Sequence, residues 1–231
     1  MMFRPLETAE DWSAHLRAIA TPALLNTPLT NPRHDRTEAD AFRAGFTDER
    51  GHRRPIDEPL LRRLLRQPAP APPEATATDA AAWWALADPN ADDVRLESLF
   101  LQRDAGPVIP EDPNTGVEIW TETELAALHA LANHAADASD SPVGPALLAR
   151  ARAAAAWHVE TIQPDNATNH PWAAHLFAAV SIATASDEHR LHAETLVNIC
   201  CVSTGQPDRF SATLLLDAAD SIQKLTDLFA A

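Results

Sequence analysis

Residues 145–185 read PALLARARAAAAWHVETIQPDNATNHPWAAHLFAAVSIATA and give the clearest indication of how this chain folds. Alanine and leucine, which are strong helix formers, fill both halves of this stretch. Each half begins on a proline, at Pro145 and Pro171, and proline suits the first turn of a helix. The loop between the halves is rich in Asp, Asn and His. The stretch therefore predicts two antiparallel helices that are joined at this polar loop.

Helical spacing of apolar residues continues on both sides of this hairpin. Downstream, the helices predicted at 187–203 and 208–229 each begin on aspartate, which is a good helix cap. Upstream, the helix predicted at 121–137 begins with TETE, in which Thr121 and Glu124 have the spacing of a capping box. Shorter helices are predicted at 9–20, 37–46, 57–67, 78–87 and 91–101.

The only extended segment that the pattern suggests is the short run at 117–120. We therefore predict an all-α protein. Its architecture is expected to be an antiparallel helical bundle or an α/α-hairpin array, with an N-terminal helical arm and long irregular connectors.

Charge and proline content divide the chain into three parts. Residues 1–66 contain 11 Arg against 10 acidic residues, whereas the rest of the chain is acidic enough to bring the net charge to -15. Residues 67–79, QPAPAPPEATATD, contain too much proline for a helix. We predict an Arg-rich helical arm at 1–66, a Pro-rich connector at 67–79 and a main helical domain at 80–231, with its strongest helices at 121–231. We expect the arm's arginines to pair with acidic residues of the main domain.

Composition excludes several classes of function. The six glycines are isolated from one another, so the chain contains neither a P-loop nor a dinucleotide-binding fingerprint. An acidic chain is repelled by nucleic acid and by anionic membranes, and we expect neither as a partner. Cys200 and Cys201 are adjacent, and neighbouring residues in a helix cannot form an ordinary structural disulfide. A chain without a disulfide framework is typical of a reducing compartment. We expect a cytoplasmic protein.

Nine residues form the predicted ligand site: His158, Asp165, Asn166, His170, Trp172, His175, Asn198, Asp208 and Arg209. His158 lies four residues before the end of one predicted helix, and His175 lies four residues after the start of the next. A helical rise of about 1.5 Å per residue places both roughly 6 Å from the same loop. Both fall on apolar stripes, so we expect them to point inward, within reach of each other or of one shared partner such as Asn198 or Asp165.

This cluster allows a structural and a functional interpretation. Structurally, buried histidines bond to backbone carbonyls, and Asp and Asn in a loop cap helices. Functionally, the same side chains suit a pocket for a small polar ligand. No metal-binding spacing such as HExxH occurs, so we predict no metal and no cofactor, and the catalytic residues of any enzyme are unknown.

The inward His and Trp beside a helix–helix loop, at residues 157–175, resemble the hairpin scaffolds of helical-toroid glycosidases and lyases. Five long helices are too few for a complete toroid, and no catalytic motif of those families is present. The leading hypothesis is therefore a non-enzymatic protein-interaction or scaffolding protein, whose partner is a second copy or another protein. The alternative is a small polar-ligand binding protein, with carbohydrate as one ligand class, or a hydrolase-like enzyme.

Overall fold

A computed structural model describes residues 6–31, 33–69, 78–88, 91–163 and 168–231. Within these residues the chain forms ten α-helices and one 3-10 turn, Thr21–Leu24, and no strand. The helices are α1 (Ala9–Ala20), α2 (Arg36–Gly45), α3 (Asp57–Leu64), α4 (Thr78–Ala87), α5 (Asp93–Phe100), α6 (Val117–Asp137), α7 (Gly144–Thr161), α8 (Ala174–Thr184), α9 (Asp187–Ile199) and α10 (Arg209–Ala230). The prediction of an all-α protein is confirmed.

The helices pack as a bundle around one main apolar core. α6 packs against α7 and α4, while α8 packs against α9 and α10. The largest fully buried side chains come from distant parts of the sequence: Trp12, Trp83, Trp172, Phe177 and Phe210. Aromatic side chains of this size supply much of the buried apolar area that stabilises a helical bundle. None of the described helices has the length and apolarity that crossing a bilayer requires.

The N-terminal segment contributes to this same core. α1 packs along α10, and its Trp12 and Leu16 are fully buried. The Ser13 hydroxyl donates a hydrogen bond to the Ala219 carbonyl over 2.8 Å. The expected pairing of arm arginines with the main domain occurs at Arg17, which bonds Asp220, and at Arg63.

Other arginines of the arm pair within the arm itself. Arg43, Arg53 and Arg62 all meet the carboxylate of Glu58. The division of the chain into arm, connector and main domain stays a prediction. Most of the connector, residues 70–77, lies outside the described residues.

The start of α6 differs from the sequence prediction. The helix begins at Val117, so residues 117–120 are helical and not extended, and Thr121 is an interior residue whose hydroxyl donates to the Val117 carbonyl over 2.8 Å. The predicted capping box of Thr121 and Glu124 is therefore wrong. Glu124 instead accepts hydrogen bonds from the amides of Val108 and Ile109, in the loop that precedes the helix.

Two further helix ends also shifted. α8 begins at Ala174 because Ala173 adopts the left-handed conformation, with φ 53°. α9 ends at Ile199, so Cys200 and Cys201 lie in a turn and not in the helix predicted to reach residue 203. The predicted cap at Asp208 is confirmed, since its carboxylate accepts from the Ser211 amide over 2.7 Å.

Replacement of Ala185 by glycine is expected to stabilise the protein by about 1 kcal/mol, which corresponds to a rise in Tm of about 2–4 °C. Ala185 ends α8 in the left-handed conformation with φ 54°, which glycine adopts without a steric penalty, and its side chain is exposed. Thermal unfolding followed by circular dichroism measures the change. The matched control is Ala41→Gly, at an exposed site inside α2, which should destabilise by about 1 kcal/mol. Equal destabilisation by both substitutions would contradict the prediction.

Candidate functional site

The predicted site residues divide into a buried group and an outer group. His158, His175 and Trp172 are at most 1% exposed. His170 and Asp208 are half-buried, whereas Asn198 and Arg209 are exposed. Asp165 and Asn166 lie outside the described residues. The expected inward direction of the two histidines is confirmed, but they have no hydrogen-bond partner in common within the described part of the chain.

His158 bonds to a buried carboxylate of α6. Its Nε2 lies 3.1 Å from Glu124 Oε1, and neither side chain is exposed. Because a carboxylate accepts hydrogen bonds, we place the imidazole proton on Nε2. That assignment agrees with the environment of Nδ1, which has no hydrogen-bond partner. His158 therefore holds Glu124 in place and is turned away from solvent.

Glu124 and Arg150 fix the loop at residues 103–116. The two oxygens of Glu124 accept from the amides of Val108 and Ile109, each over 2.7 Å. The Arg150 guanidinium donates to the carbonyls of Gly106 and Pro107 over 3.0 and 2.6 Å. The loop has no regular secondary structure, so these side chains supply the bonds that its backbone lacks.

The second histidine of the predicted pair, His175, packs against His129 of α6. The two ring centroids are 4.3 Å apart. Neither nitrogen of His175 has a hydrogen-bond partner. Burial first, and the neighbouring His129 second, lower the pKa of His175 well below 6.5. His175 is therefore a neutral core residue at pH 7.

His129 belongs to a buried polar network that centres on Asp217 of α10. His129 Nδ1 accepts the Ala173 amide over 3.1 Å, so its proton lies on Nε2, which donates to Asp217 over 3.1 Å. Asn133 Nδ2 and Arg63 Nε donate to the same carboxylate over 2.5 and 2.9 Å. Burial alone raises the pKa of Asp217, but the charge of Arg63 and the bond from His129 outweigh it and lower that pKa. Asp217 is thus a fully bonded, ionised carboxylate.

A second polar group surrounds His170 at the loop end of the bundle. His170 Nδ1 is 2.9 Å from the Ser211 hydroxyl, and its Nε2 is 3.9 Å from a Glu122 oxygen. Glu122 also accepts from the indole N–H of Trp172 over 2.6 Å. Burial lowers the pKa of His170, against an opposing effect of Glu122. Hydroxyl, imidazole and carboxylate resemble the parts of a nucleophilic site, yet Ser211 is only 1% exposed.

Sequence reasoning missed the residues that organise these networks: Glu122, Glu124, His129 and Asp217. A signal for two of them was present. His129 and Asp217 are isolated polar residues inside long apolar helical runs, LAALHALA and LLLDAA, where an unpaired polar side chain is costly. Such a residue predicts a buried partner, although the sequence does not say which one.

No group of three or more His, Cys, Asp or Glu side chains that could hold a metal ion occurs among the residues described. Comparison with protein-family models, with curated proteins and with solved structures finds no significant match to this chain. Its function therefore has to be inferred from its own geometry.

Replacement of Asp217 by asparagine is expected to destabilise the fold by about 3 kcal/mol, because the largely buried Arg63 guanidinium then has only the half-exposed Asp137 as counter-charge. Urea denaturation at pH 7 measures the loss. The control is Asp220→Asn on the same helix, whose half-exposed ion pair with Arg17 should contribute less than about 1 kcal/mol. Similar losses from the two variants would show that Asp217 does not stabilise the core as described.

Acidification is expected to destabilise the protein because its buried histidines must become protonated. The variant His134→Gln measures the part of this effect that is due to His134. His134 bonds the Ala82 carbonyl over 3.0 Å, and burial lowers its pKa from 6.5 to about 4, against the effect of that carbonyl. A lowered folded-state pKa means that the native protein binds fewer protons than the unfolded chain, so stability is lost as pH falls below about 6.5.

Between pH 7 and pH 5, His134 is expected to lower the free energy of unfolding by about 2 kcal/mol. Glutamine keeps a donor for Ala82 but does not titrate. Urea titrations at pH 7, 6 and 5 should therefore show a flatter pH dependence for His134→Gln than for the parent. The control is Val94→Ala, at a site that is 71% exposed; it removes no titratable group and should keep the parent's slope. An unchanged slope in His134→Gln would refute the assignment.

Proposed function

We propose that this chain is a non-enzymatic protein-interaction protein that binds a basic, amphipathic partner segment. The binding surface is the α6–α7 face, which comprises the loop at 103–116, the first turn of α6 and the last turn of α7. The observation that carries the proposal is the use of two buried charged side chains, Glu124 and Arg150, to fix an exposed irregular loop. Burying a charge is costly, and long ordered loops in compact domains are usually functional.

The α6–α7 face has apolar anchors beside this loop. Val117 and Ile119, in the first turn of α6, are 72% and 67% exposed. Trp120, the residue after Ile119, packs edge-on against the half-buried Trp157 at the end of α7, with ring centroids 6.2 Å apart. The Trp120 indole N–H donates to the Pro110 carbonyl over 3.0 Å, which ties the loop to the helix. Aromatic and aliphatic anchors held on a rigid frame are the usual centres of binding energy in protein interfaces.

The charge of the α6–α7 face favours a basic partner. Glu111, Asp112, Glu118 and Glu160 are exposed around the apolar anchors. Arg103, at the start of the loop, is exposed and basic, but the chain contains no Lys or Arg at 104–149 or at 153–189. Acidic groups around an apolar centre attract basic segments and speed their association. Two copies of this chain meeting through the same face would bring like charges together, so this surface favours a different protein over self-association.

The burial of the predicted ligand residues counts against the alternative of a small-ligand pocket. His158, His175 and Trp172 have almost no accessible surface, so a ligand reaches none of them unless the bundle opens. His158 bonds to Glu124, Trp172 donates to Glu122, and His175 packs against His129. These buried contacts suit a role in holding the fold.

Binding is tested by calorimetric titration of the full chain with a synthetic amphipathic peptide of leucine and lysine at helical spacing. We expect saturable binding that weakens as salt rises, and no binding of the same peptide with glutamate in place of lysine. Ile119→Glu should weaken binding at least about tenfold, since it places a charge among the apolar anchors.

The matched control for Ile119→Glu is Leu25→Glu. Leu25 is 65% exposed, and it follows the 3-10 turn that packs against α10 away from the α6–α7 face. This variant should bind as the parent does. Equal weakening by both variants, equal binding of the acidic peptide, or no saturable binding of the basic peptide would overturn the proposal.

A further inference from the structure

Cys200 and Cys201 lie side by side in the turn that follows α9. Both thiols are free and half-buried, and their Sγ atoms are 3.8 Å apart. α9 ends at Ile199, so the pair lies outside the regular helix, in which neighbouring side chains diverge by a little over a quarter turn. The turn therefore presents two sulfur atoms together at a partly accessible position.

Backbone hydrogen bonds set the geometry of this turn. The Cys201 amide donates to the Asn198 carbonyl over 3.0 Å, and the Gly205 amide donates to the Cys201 carbonyl over 2.8 Å. Gly205 has φ 74°, a conformation that glycine adopts without strain. The Cys200 thiol donates to the Val197 carbonyl over 3.0 Å. The sulfur atoms are thus brought together by the fold, without a covalent bond between them.

The geometry of adjacent cysteines is unfavourable for an ordinary disulfide. Adjacent Cα atoms are about 3.8 Å apart, which is shorter than the usual span of about 4.4–6.8 Å in disulfides. A bond between neighbouring cysteines would be strained and readily reduced. Burial and the adjacent Cys201 also raise the pKa of Cys200, so at neutral pH this residue stays a thiol.

The sulfur spacing suits chelation of one thiophilic atom. Two thiolates bound to one tetrahedral ion at about 2.3 Å lie about 3.8 Å apart, and a pyramidal three-coordinate atom holds them slightly closer. The two sulfurs lie 3.8 Å apart in the free turn, so little movement brings both onto one atom. A closed structural zinc site needs three or four protein ligands, and no such group occurs in the described ranges. The ligand that fits is a three-coordinate atom that binds the two cysteine sulfurs and whose third position is filled by a group of its own.

We propose that Cys200 and Cys201 form a dithiol site for thiophilic trivalent metalloids, the class that organoarsenic(III) compounds represent. With phenylarsine oxide, two arsenic–sulfur bonds form and the arsenic–oxygen bond breaks. The two thiol protons leave with that oxygen as water, and no atom changes oxidation state. The phenyl group fills the third position on arsenic. This site is independent of the partner surface proposed above.

The test is intact-mass spectrometry and titration of the native full chain with phenylarsine oxide. We expect one phenylarsenic group per chain, which resists excess 2-mercaptoethanol, a monothiol, and is removed by dithiothreitol. Chelation raises affinity over a single contact by about 10²–10⁴-fold, so Cys200→Ser and Cys201→Ser should each weaken binding at least about a hundredfold. Val202→Ala, in the same turn, should bind as the parent does. Zinc ion alone should bind far more weakly than the arsenical.

Thermal melts of both serine variants check that a loss of binding is not a loss of folding. A parallel titration of the chain unfolded in denaturant checks whether the native turn is what holds the two thiols together for binding. The proposal is overturned if either single-cysteine variant keeps the parent's affinity, if the monothiol removes the adduct as readily as the dithiol, or if the adduct forms only on the unfolded chain.

Discussion

The buried carboxylate of Asp217 ties three helices of the bundle together. It lies inside α10 and accepts hydrogen bonds from Arg63 of α3 and from His129 and Asn133 of α6. A buried carboxylate is tolerated only when its partners are held in place, so these helices have one mutual arrangement that satisfies it. Because His129 must carry its proton on Nε2, its Nδ1 is free to accept the Ala173 amide. That bond sets the left-handed turn at which α8 begins.

A second buried carboxylate, Glu124, links the interior of the bundle to the loop at 103–116 on its surface. His158 of α7 bonds to one of its oxygens, and the amides of Val108 and Ile109 occupy both. The loop at 103–116 therefore has a defined path although it has no regular secondary structure. His158, His175 and Trp172, which the sequence suggested for a pocket, thus lie inside the bundle. The loop and the exposed first turn of α6 present the acidic and apolar groups that a partner could contact.

Much of the helical framework follows from local sequence. The bounds of α1 and α4 agree with the predicted ranges, and Asp208 caps α10 as its position before an apolar run indicates. The inward direction of His158 and His175 also follows from helical spacing. The capping box at Thr121 was wrong because a carboxylate three residues after a threonine has the same spacing whether it caps its own helix or bonds the loop that precedes the helix. The site partners Glu122, His129 and Ser211 were not predicted, because nothing near them in sequence identifies their contacts.

The all-α class, most helix positions and the buried faces of the helices follow from local sequence, because apolar periodicity and helix caps act over a few residues. Which polar groups meet depends instead on how the helices pack. Arg63 and Asp217 are separated by 154 residues, and their contact exists only after α3 packs against α10. The side-by-side thiols of Cys200 and Cys201 likewise depend on where α9 stops. Such contacts are set by the packing of the whole chain, since a hydrogen bond depends on position and direction in space and not on separation along the sequence.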